Sequence, residues 1–155
     1  MKYWWFLIVS FPALCQFVDI PDANFKACLV ENHDTNGDGE ISFAEAEAVT
    51  GAVSCYGIDF HSVIGIEAFI NISSLGLIDG CFQEMPDISL LSKLERMIIR
   101  SSCLEKLPVL PKNLRWLELL DCKLSEINSE LPESLEVLIC IESELERLGS
   151  LSYLT

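Results

Sequence analysis

The sequence predicts an α/β fold, in which short parallel strands stack as a repeat solenoid behind a small helix-loop-helix cap. Three features of the 155-residue chain predict it: apolar residues recur at intervals of 20 to 22 residues in the second half, a loop rich in Asp, Asn and Gly separates two helical patterns, and an uncharged stretch precedes both. A chain of this length usually forms one domain with room for a small appended unit. We divide it into a signal peptide (1–15), a cap (16–52) and repeats (53–155).

The first segment is predicted to be a secretory signal peptide. Tyr3–Cys15 is uncharged over 13 residues, whereas a helix that spans a bilayer needs about 20. The single basic Lys2, the short apolar run and the small Ala13 and Cys15 before the cut are typical of a cleaved leader. The alternatives are an uncleaved segment or a lipidated Cys15, which the bulky Leu14 disfavours. We expect a secreted or cell-surface protein, attached to a membrane only if Cys15 is lipidated.

Charge and cysteine content narrow the classes of partner. Asp and Glu number 24 and Lys and Arg number 10, which gives a net charge of −14 and argues against nucleic acids and anionic membranes. An even number of cysteines remains after cleavage, and an oxidising compartment permits disulfides. No two of them form a CxxC pair, and we favour buried reduced cysteines that pack as small apolar side chains. Zinc is not expected, because no cysteine stands near a His at ligand spacing.

Two helices should flank the loop. Pro21 and Asp22 are typical of a helix start, and Phe25, Cys28 and Leu29 then form one apolar face that runs to about residue 31. His33 should end this helix, and His61 should lie in a loop. The second helix should begin with an S-x-x-E capping box and present Phe43, Ala46 and Val49 or Thr50 on one side.

The loop Asp34–Glu45 resembles the calcium-binding loop of the EF-hand at every constrained position. Calcium prefers six to eight hard oxygen ligands, and glycine at position 6 permits the sharp turn. The candidate ligands are Asp34, Asn36, Asp38, Glu40 through its carbonyl, Ser42 and Glu45. The alternative is a solvated acidic turn. EF-hands usually work in pairs, and a lone hand lacks a partner strand at Ile41, so we expect weak Ca²⁺ affinity, about 10⁻⁴–10⁻³ M.

From residue 72 onward, apolar residues follow the leucine-rich repeat pattern, in which positions 1, 4, 6 and 11 are apolar and position 9 is usually Asn. Four copies begin at Ile72, Leu94, Leu114 and Leu135, at offsets of 22, 20 and 21 residues. Each copy should form one short parallel strand whose leucines are buried only against neighbouring copies. A degenerate half-repeat is expected around Val53 to Phe69.

The ninth position departs from the pattern. It holds Gly80, Ser102, Cys122 and Ser143 in the four copies. An Asn there normally bonds the turn backbone of adjacent units, so we expect looser turns. Cys81 and Cys103 share the tenth position and could lie close enough for a disulfide, although spacing alone does not settle the pairing.

Four stretches, 20–25, 34–45, 46–50 and 65–69, together resemble the N-terminal region of secreted bacterial leucine-rich repeat proteins of the internalin-like kind. The resemblance spans residues 19–155. It implies an EF-hand-like cap over the first repeat, a secreted or surface location and binding to other proteins. A terminal repeat needs a polar cover, and none follows Thr155, so we expect either a longer protein or a molecule that covers this end.

Positions 3, 5 and 7 of each repeat should point out from a concave strand face. The candidate partner-binding residues there are Arg96, Ile98, Arg100, Trp116, Leu120, Val137, Ile139 and Ile141. A continuous apolar patch flanked by arginines marks an interaction site, so we predict that an unidentified protein binds there. The alternatives are that a further segment packs on this face, or that the face is assigned wrongly.

Catalysis is not expected. His33 and His61 have no neighbouring nucleophile motif, and no glycine pattern fits a phosphate loop. The prediction is therefore a protein-binding module with a calcium-binding cap and no enzymatic activity. The alternative is a calcium-dependent structural or adhesion protein, in which partner binding requires the ion.

Overall fold

The computed structural model describes residues 17–100, 103–127, 130–143 and 147–148. The predicted signal peptide, Ser102 and Leu145 lie outside these ranges. Within them, no helix has the length and apolar character needed to cross a membrane.

Two short helices form the cap, and both begin at side-chain caps that the sequence supplies. Helix α1 spans Ala23–His33, and the Asp22 carboxylate accepts hydrogen bonds from its first free amides. Helix α2 spans Phe43–Ala48 and begins with the predicted reciprocal capping box of Ser42 and Glu45. Such caps stabilise a helix by about 1 kcal/mol each, which matters for a helix of six residues.

The buried face of α1 agrees with the sequence pattern, but that of α2 does not. Phe25, Cys28 and Leu29 are buried, and His33 is the last residue of α1. In α2, Ala46 is fully buried, whereas Phe43 is 40% exposed. The predicted side of Phe43, Ala46 and Val49 or Thr50 is therefore buried only in part, because Phe43 occupies the first turn, where the inward positions belong to Glu45 and Ala46.

The rest of the chain forms two parallel sheets. The strands are β1 (Ala52–Cys55), β2 (Ser74–Ile78), β3 (Arg96–Arg100), β4 (Trp116–Leu120), β5 (Glu126–Ile127), β6 (Val137–Ile141) and β7 (Arg147–Leu148). The main sheet has the order β1-β2-β3-β4-β6, and β5 pairs with β7 in the second. A 3₁₀ helix, Ile66–Ala68, lies between β1 and β2. The predicted α/β repeat solenoid with parallel strands is confirmed.

The core lies between the main sheet and the connections that return the chain to it. On the inner face, Leu75, Leu77, Met97, Ile99, Leu117 and Leu119 are fully buried. They are the fourth and sixth positions of successive repeats, and the register places each opposite its equivalent in the next strand. Because each layer is buried by its neighbours, no single layer can be stable alone.

The first layer of the solenoid is the half-repeat predicted after Val53. Strand β1 pairs with β2 so that Val53 lies opposite Leu75 and Cys55 opposite Leu77. Phe60 therefore takes the place that Phe82 has in the next layer, and the two rings stack with centroids 5.8 Å apart. The half-repeat is thus a complete layer in frame with the others.

Left-handed residues terminate the strands in register. Gly57, Asp79, Asp121 and Glu142 all have positive φ, between 55° and 69°. The last three directly follow β2, β4 and β6, and Gly57 occupies the place equivalent to Asp79 after β1. The Asp79 carboxylate also accepts a hydrogen bond from the Gly57 amide at 3.1 Å. Asp tolerates this conformation better than most residues, so a left-handed turn residue follows β1, β2, β4 and β6.

Candidate functional site

The outward side of the main sheet carries the predicted partner-binding residues. We call it the open face, defined by three rows that run across the strands. The rows are Ser74–Arg96–Trp116–Val137, Gly76–Ile98–Glu118–Ile139 and Ile78–Arg100–Leu120–Ile141. The register therefore brings all eight predicted residues onto one surface.

A charged and aromatic cluster occupies the centre of the open face. The Arg100 guanidinium lies 2.5 Å from Glu118 Oε1, and Trp116 Nε1 donates a long hydrogen bond of 3.4 Å to Glu118 Oε2. The Arg96 guanidinium carbon lies 4.6 Å from the centroid of the Trp116 ring. This distance is within cation–π range, for which estimates run from about 0.5 to 2 kcal/mol. The cluster fixes the indole and both arginines relative to one another.

Glu118 changes the character of this surface. It lies between Ile98 and Ile139 in the middle row and is only 7% exposed. The predicted continuous apolar patch is therefore interrupted by a buried carboxylate. The sequence does contain a signal for this interruption. Glu118 is an acidic residue at an outward position of β4, and its partner on β3 lies between Arg96 and Arg100. The interruption becomes visible only when the strand register places Glu118 directly between Ile98 and Ile139.

The loop between α1 and α2 is closed by its own hydrogen bonds. Asp34 Oδ1 accepts from the amide of Gly37 at 2.7 Å, and Asp34 Oδ2 from that of Gly39 at 2.8 Å. Asn36 and Asp38 each accept from the amide two residues ahead. Gly37 and Gly39 have φ of 76° and 80°, so the predicted sharp turn at Gly39 is present.

Glu45 is the most heavily bonded of the predicted calcium ligands. Its Oε1 accepts from the amide and hydroxyl of Thr35 at 2.9 and 2.8 Å and from the Asn36 amide at 3.3 Å. Its Oε2 accepts from the amide and hydroxyl of Ser42 at 2.9 and 2.8 Å. These bonds, those from Ser42 first, lower the pKa of Glu45 to about 2. The carboxylate therefore joins the start of the loop to the start of α2.

The donor set of the loop fits calcium chemically, since its side chains offer hard carboxylate, amide and hydroxyl oxygens. In the arrangement described, however, both Glu45 oxygens face protein donors, and the Glu40 carboxylate pairs with Lys26 at 2.5 Å. No group of three or more His, Cys, Asp or Glu side chains among the described residues is placed to hold a metal ion. Calcium binding stays a prediction.

The predicted lack of a partner strand at Ile41 is wrong. The Val18 amide donates to the Ile41 carbonyl at 2.8 Å, and Phe17 and Ser42 form an antiparallel bridge. The chain preceding α1 thus takes the place that a second hand would occupy. Ile41 is fully buried as a result.

Four of the six cysteines within residues 17–143 form disulfides. Cys28 in α1 is bonded to Cys55 in β1, and Cys81 to Cys103. The preference for reduced cysteines is wrong for these four. The Cα atoms of Cys28 and Cys55 lie 5.9 Å apart, because α1 packs beside β1. Those of Cys81 and Cys103 lie 4.6 Å apart, because the solenoid places equivalent turn positions of neighbouring layers in contact. Burial raises the pKa of Cys140, which forms no disulfide among the described residues.

Comparison with known proteins bears on the fold of the chain. No family model and no curated protein matches the chain. Among solved structures, it is similar to an internalin from Listeria monocytogenes, with 19% sequence identity and a TM-score of 0.57. The match covers 89% of this chain and 49% of the internalin chain, so the chain spans about half the length of that protein. At this identity the likeness shows the fold, which is a leucine-rich repeat solenoid of parallel strands.

Proposed function

We propose that the chain is a protein-binding module and that the open face holds its partner. The observation that supports this best is the fixed position of Trp116 between Arg96 and Glu118. An aromatic side chain that is already held loses little conformational entropy on binding. Trp and Arg are also the residues that most often dominate the binding energy of protein interfaces.

The surroundings of Trp116 favour a protein over other partners. Ile98, Leu120, Val137 and Ile139 are half-buried, and Ile141 is 54% exposed, so a partner can remove apolar surface from water. The net charge of −14 opposes nucleic acids and anionic membranes. Arginines held in place beside apolar side chains are typical of protein-binding surfaces.

A site-specific cross-linking experiment tests this proposal. A photoreactive phenylalanine analogue at Ile141 should capture the partner from a preparation of candidate target cells or secreted proteins. The same analogue at Val109, which is 60% exposed and lies in the connection between β3 and β4, should not. Capture of the same proteins from both positions would contradict the proposal.

The affinity for the captured partner then measures how much Trp116 contributes to binding. Trp116→Ala should weaken binding at least ~30-fold, the effect of a hot-spot residue. Val109→Ala should change it less than ~2-fold. Equal affinity of wild type and Trp116→Ala would remove the open face as the binding surface. Binding in calcium and in chelator distinguishes a constitutive module from a calcium-dependent adhesion protein.

We also propose that the Asp34–Glu45 loop binds calcium. The support is the complete set of EF-hand positions together with two left-handed glycines in the loop. Asp38→Asn tests it, because the amide oxygen can still accept from Glu40 while the charge is lost. In a calorimetric titration, this variant should bind at least ~10-fold more weakly than wild type. Asp59→Asn, an equal charge change outside the loop, should bind like wild type, and absence of heat at millimolar calcium would contradict the proposal.

We infer that the protein is exported. The two disulfides support this, since structural disulfides persist mainly in oxidising compartments. The predicted leader gives the route, with cleavage after Cys15. N-terminal sequencing of protein recovered from the medium of an expressing cell tests this, and the sequence should begin at Gln16.

A further inference from the structure

The cap carries an apolar groove, and none of the residues that line it belongs to the open face. It has a volume of about 390 Å³. We define this cap groove by three apolar residues, Phe43, Ile64 and Ile70, and three acidic residues, Asp19, Glu47 and Glu67. The apolar members come from α2, the loop before the 3₁₀ helix and the turn after it.

The apolar members of the cap groove are exposed without a structural reason. Phe43, Ile64 and Ile70 are 40%, 44% and 37% exposed, and together they are three of the eight large exposed apolar residues in the described chain. A helix of six residues needs no aromatic at its first position, and the core contacts of α2 are made by Ala46. A cluster of exposed apolar side chains usually marks a binding surface.

The charge around the cap groove indicates what fits there. Residues 17–92 contain 13 Asp and Glu but only one Lys or Arg, which is Lys26. Lys26 is engaged with Glu40. The carboxylates of Asp19 and Glu47 have neither a hydrogen bond nor an ion pair with any of the residues described. By contrast, residues 93–143 contain nine acidic and seven basic residues, so the unbalanced negative charge is concentrated on the cap side.

We propose that the cap groove binds a basic amphipathic segment of a partner protein. Apolar side chains of that segment would cover Phe43, Ile64 and Ile70, and its Lys or Arg residues would pair with Asp19, Glu47 and Glu67. Charge complementarity of this kind increases the association rate and fixes the orientation of the partner. The surface is separate from the open face, so the protein has two binding sites of different chemistry.

The probe for the test is a 14-residue amphipathic helical peptide of Leu and Lys, and its matched control has Glu in place of every Lys. Fluorescence anisotropy should show binding of the Lys peptide that weakens with added salt, since exposed charges are screened over about 10 Å at 0.1 M. The Glu peptide should not bind. Equal binding of both peptides would overturn the proposal.

Matched variants locate the site. Glu47→Lys should weaken binding of the Lys peptide at least ~10-fold, while Glu31→Lys, the same charge change on the exposed surface of α1, should weaken it less than ~3-fold. Ile70→Ser should weaken it about 5-fold, while Leu90→Ser, at a 79% exposed position elsewhere, should leave it unchanged. Thermal melting of each variant checks that the fold is retained.

Two further results would overturn the proposal. Equal weakening by Glu47→Lys and Glu31→Lys would mean that the peptide responds only to net charge. Dimers in analytical ultracentrifugation that Ile70→Ser dissociates and Leu90→Ser does not would mean that a second copy of the chain covers the cap groove.

Discussion

Glu45 illustrates how one carboxylate can replace several contacts in a small cap. It accepts five hydrogen bonds from Thr35, Asn36 and Ser42 and is 8% exposed. A hydrogen bond to a charged group typically contributes about 1.5–3 kcal/mol to stability. The same residue is the predicted bidentate calcium ligand, so the sequence motif is compatible with two roles for one side chain.

The hydrogen bonds that Glu45 accepts in the folded protein predict a pH-dependent effect of Glu45→Gln on stability. The pKa in the folded protein is about 2, below the ordinary value of 4.5. A lowered pKa stabilises the fold above the unfolded value, and this stabilisation is lost as the pH falls from about 4.5 to about 2. At pH 7 and with chelator present, Glu45→Gln should lower the free energy of unfolding by about 2 kcal/mol. The difference from wild type should shrink toward pH 2.

Urea unfolding of wild type, Glu45→Gln and Glu47→Gln at several pH values measures this. Glu47 is an exposed residue on the same helix, so its substitution should change stability by less than about 0.5 kcal/mol. If Glu45→Gln were as stable as wild type in chelator but not in calcium, the carboxylate would act only as a metal ligand.

At the scale of the elements, the sequence was sufficient wherever a period or a cap decides the structure. Leucine spacing predicted the inward rows of β2, β3 and β4, and the S-x-x-E motif predicted the start of α2. Alternation also predicted which side chains reach the open face. These signals are local, because each depends on residues within one repeat or one helical turn.

The sequence did not predict contacts that join distant elements. Gly80 was expected to loosen its turn, but a Cβ there would lie 2.3 Å from the Phe60 ring. The ninth position of the first full repeat is Gly because an aromatic ring of the preceding layer fills that space. The pairing of Val18 with Ile41 has the same origin, since nothing in either segment specifies its partner.

A second row of polar side chains compensates for the missing Asn at the ninth position. The Asn113 side chain donates to the Ser92 carbonyl at 2.6 Å, and the Ser134 hydroxyl lies 2.6 Å from the Lys112 carbonyl. Asn71 similarly donates to the Glu47 carbonyl at 2.8 Å. Asn71, Ser92, Asn113 and Ser134 are spaced by 21 residues, a period that could have been recognised. These bonds join adjacent layers just before the strands. The Asn residues usually found at the ninth position join them just after the strands.

At the scale of the whole molecule, stability depends on how the layers are held together. Repeat proteins are stabilised by contacts between neighbouring layers, so unfolding can begin at an end. The Cys28–Cys55 disulfide joins α1 of the cap to β1, and Cys81–Cys103 joins the turns that follow β2 and β3. Each bond therefore connects two consecutive layers, and the first one closes the N-terminal end.

This arrangement predicts that removing the Cys28–Cys55 bond releases the cap before the repeats. The two cysteines are 27 residues apart, and a loop of that size corresponds to about 3.5 kcal/mol in the chain-entropy description of disulfides. Cys28→Ala/Cys55→Ala should lower the free energy of unfolding by about that amount. Hydrogen exchange should then accelerate in α1 and α2 more than in β3 and β4, because the cap would open separately.

Cys81→Ala/Cys103→Ala is the matched control, since it removes a bond of similar span, 22 residues, and leaves the cap attached. Its exchange should accelerate around β2 and β3 while α1 stays protected relative to them. If both double variants accelerated exchange uniformly from α1 to β4, the layers would unfold together and the cap would not be a separate unit held by its disulfide.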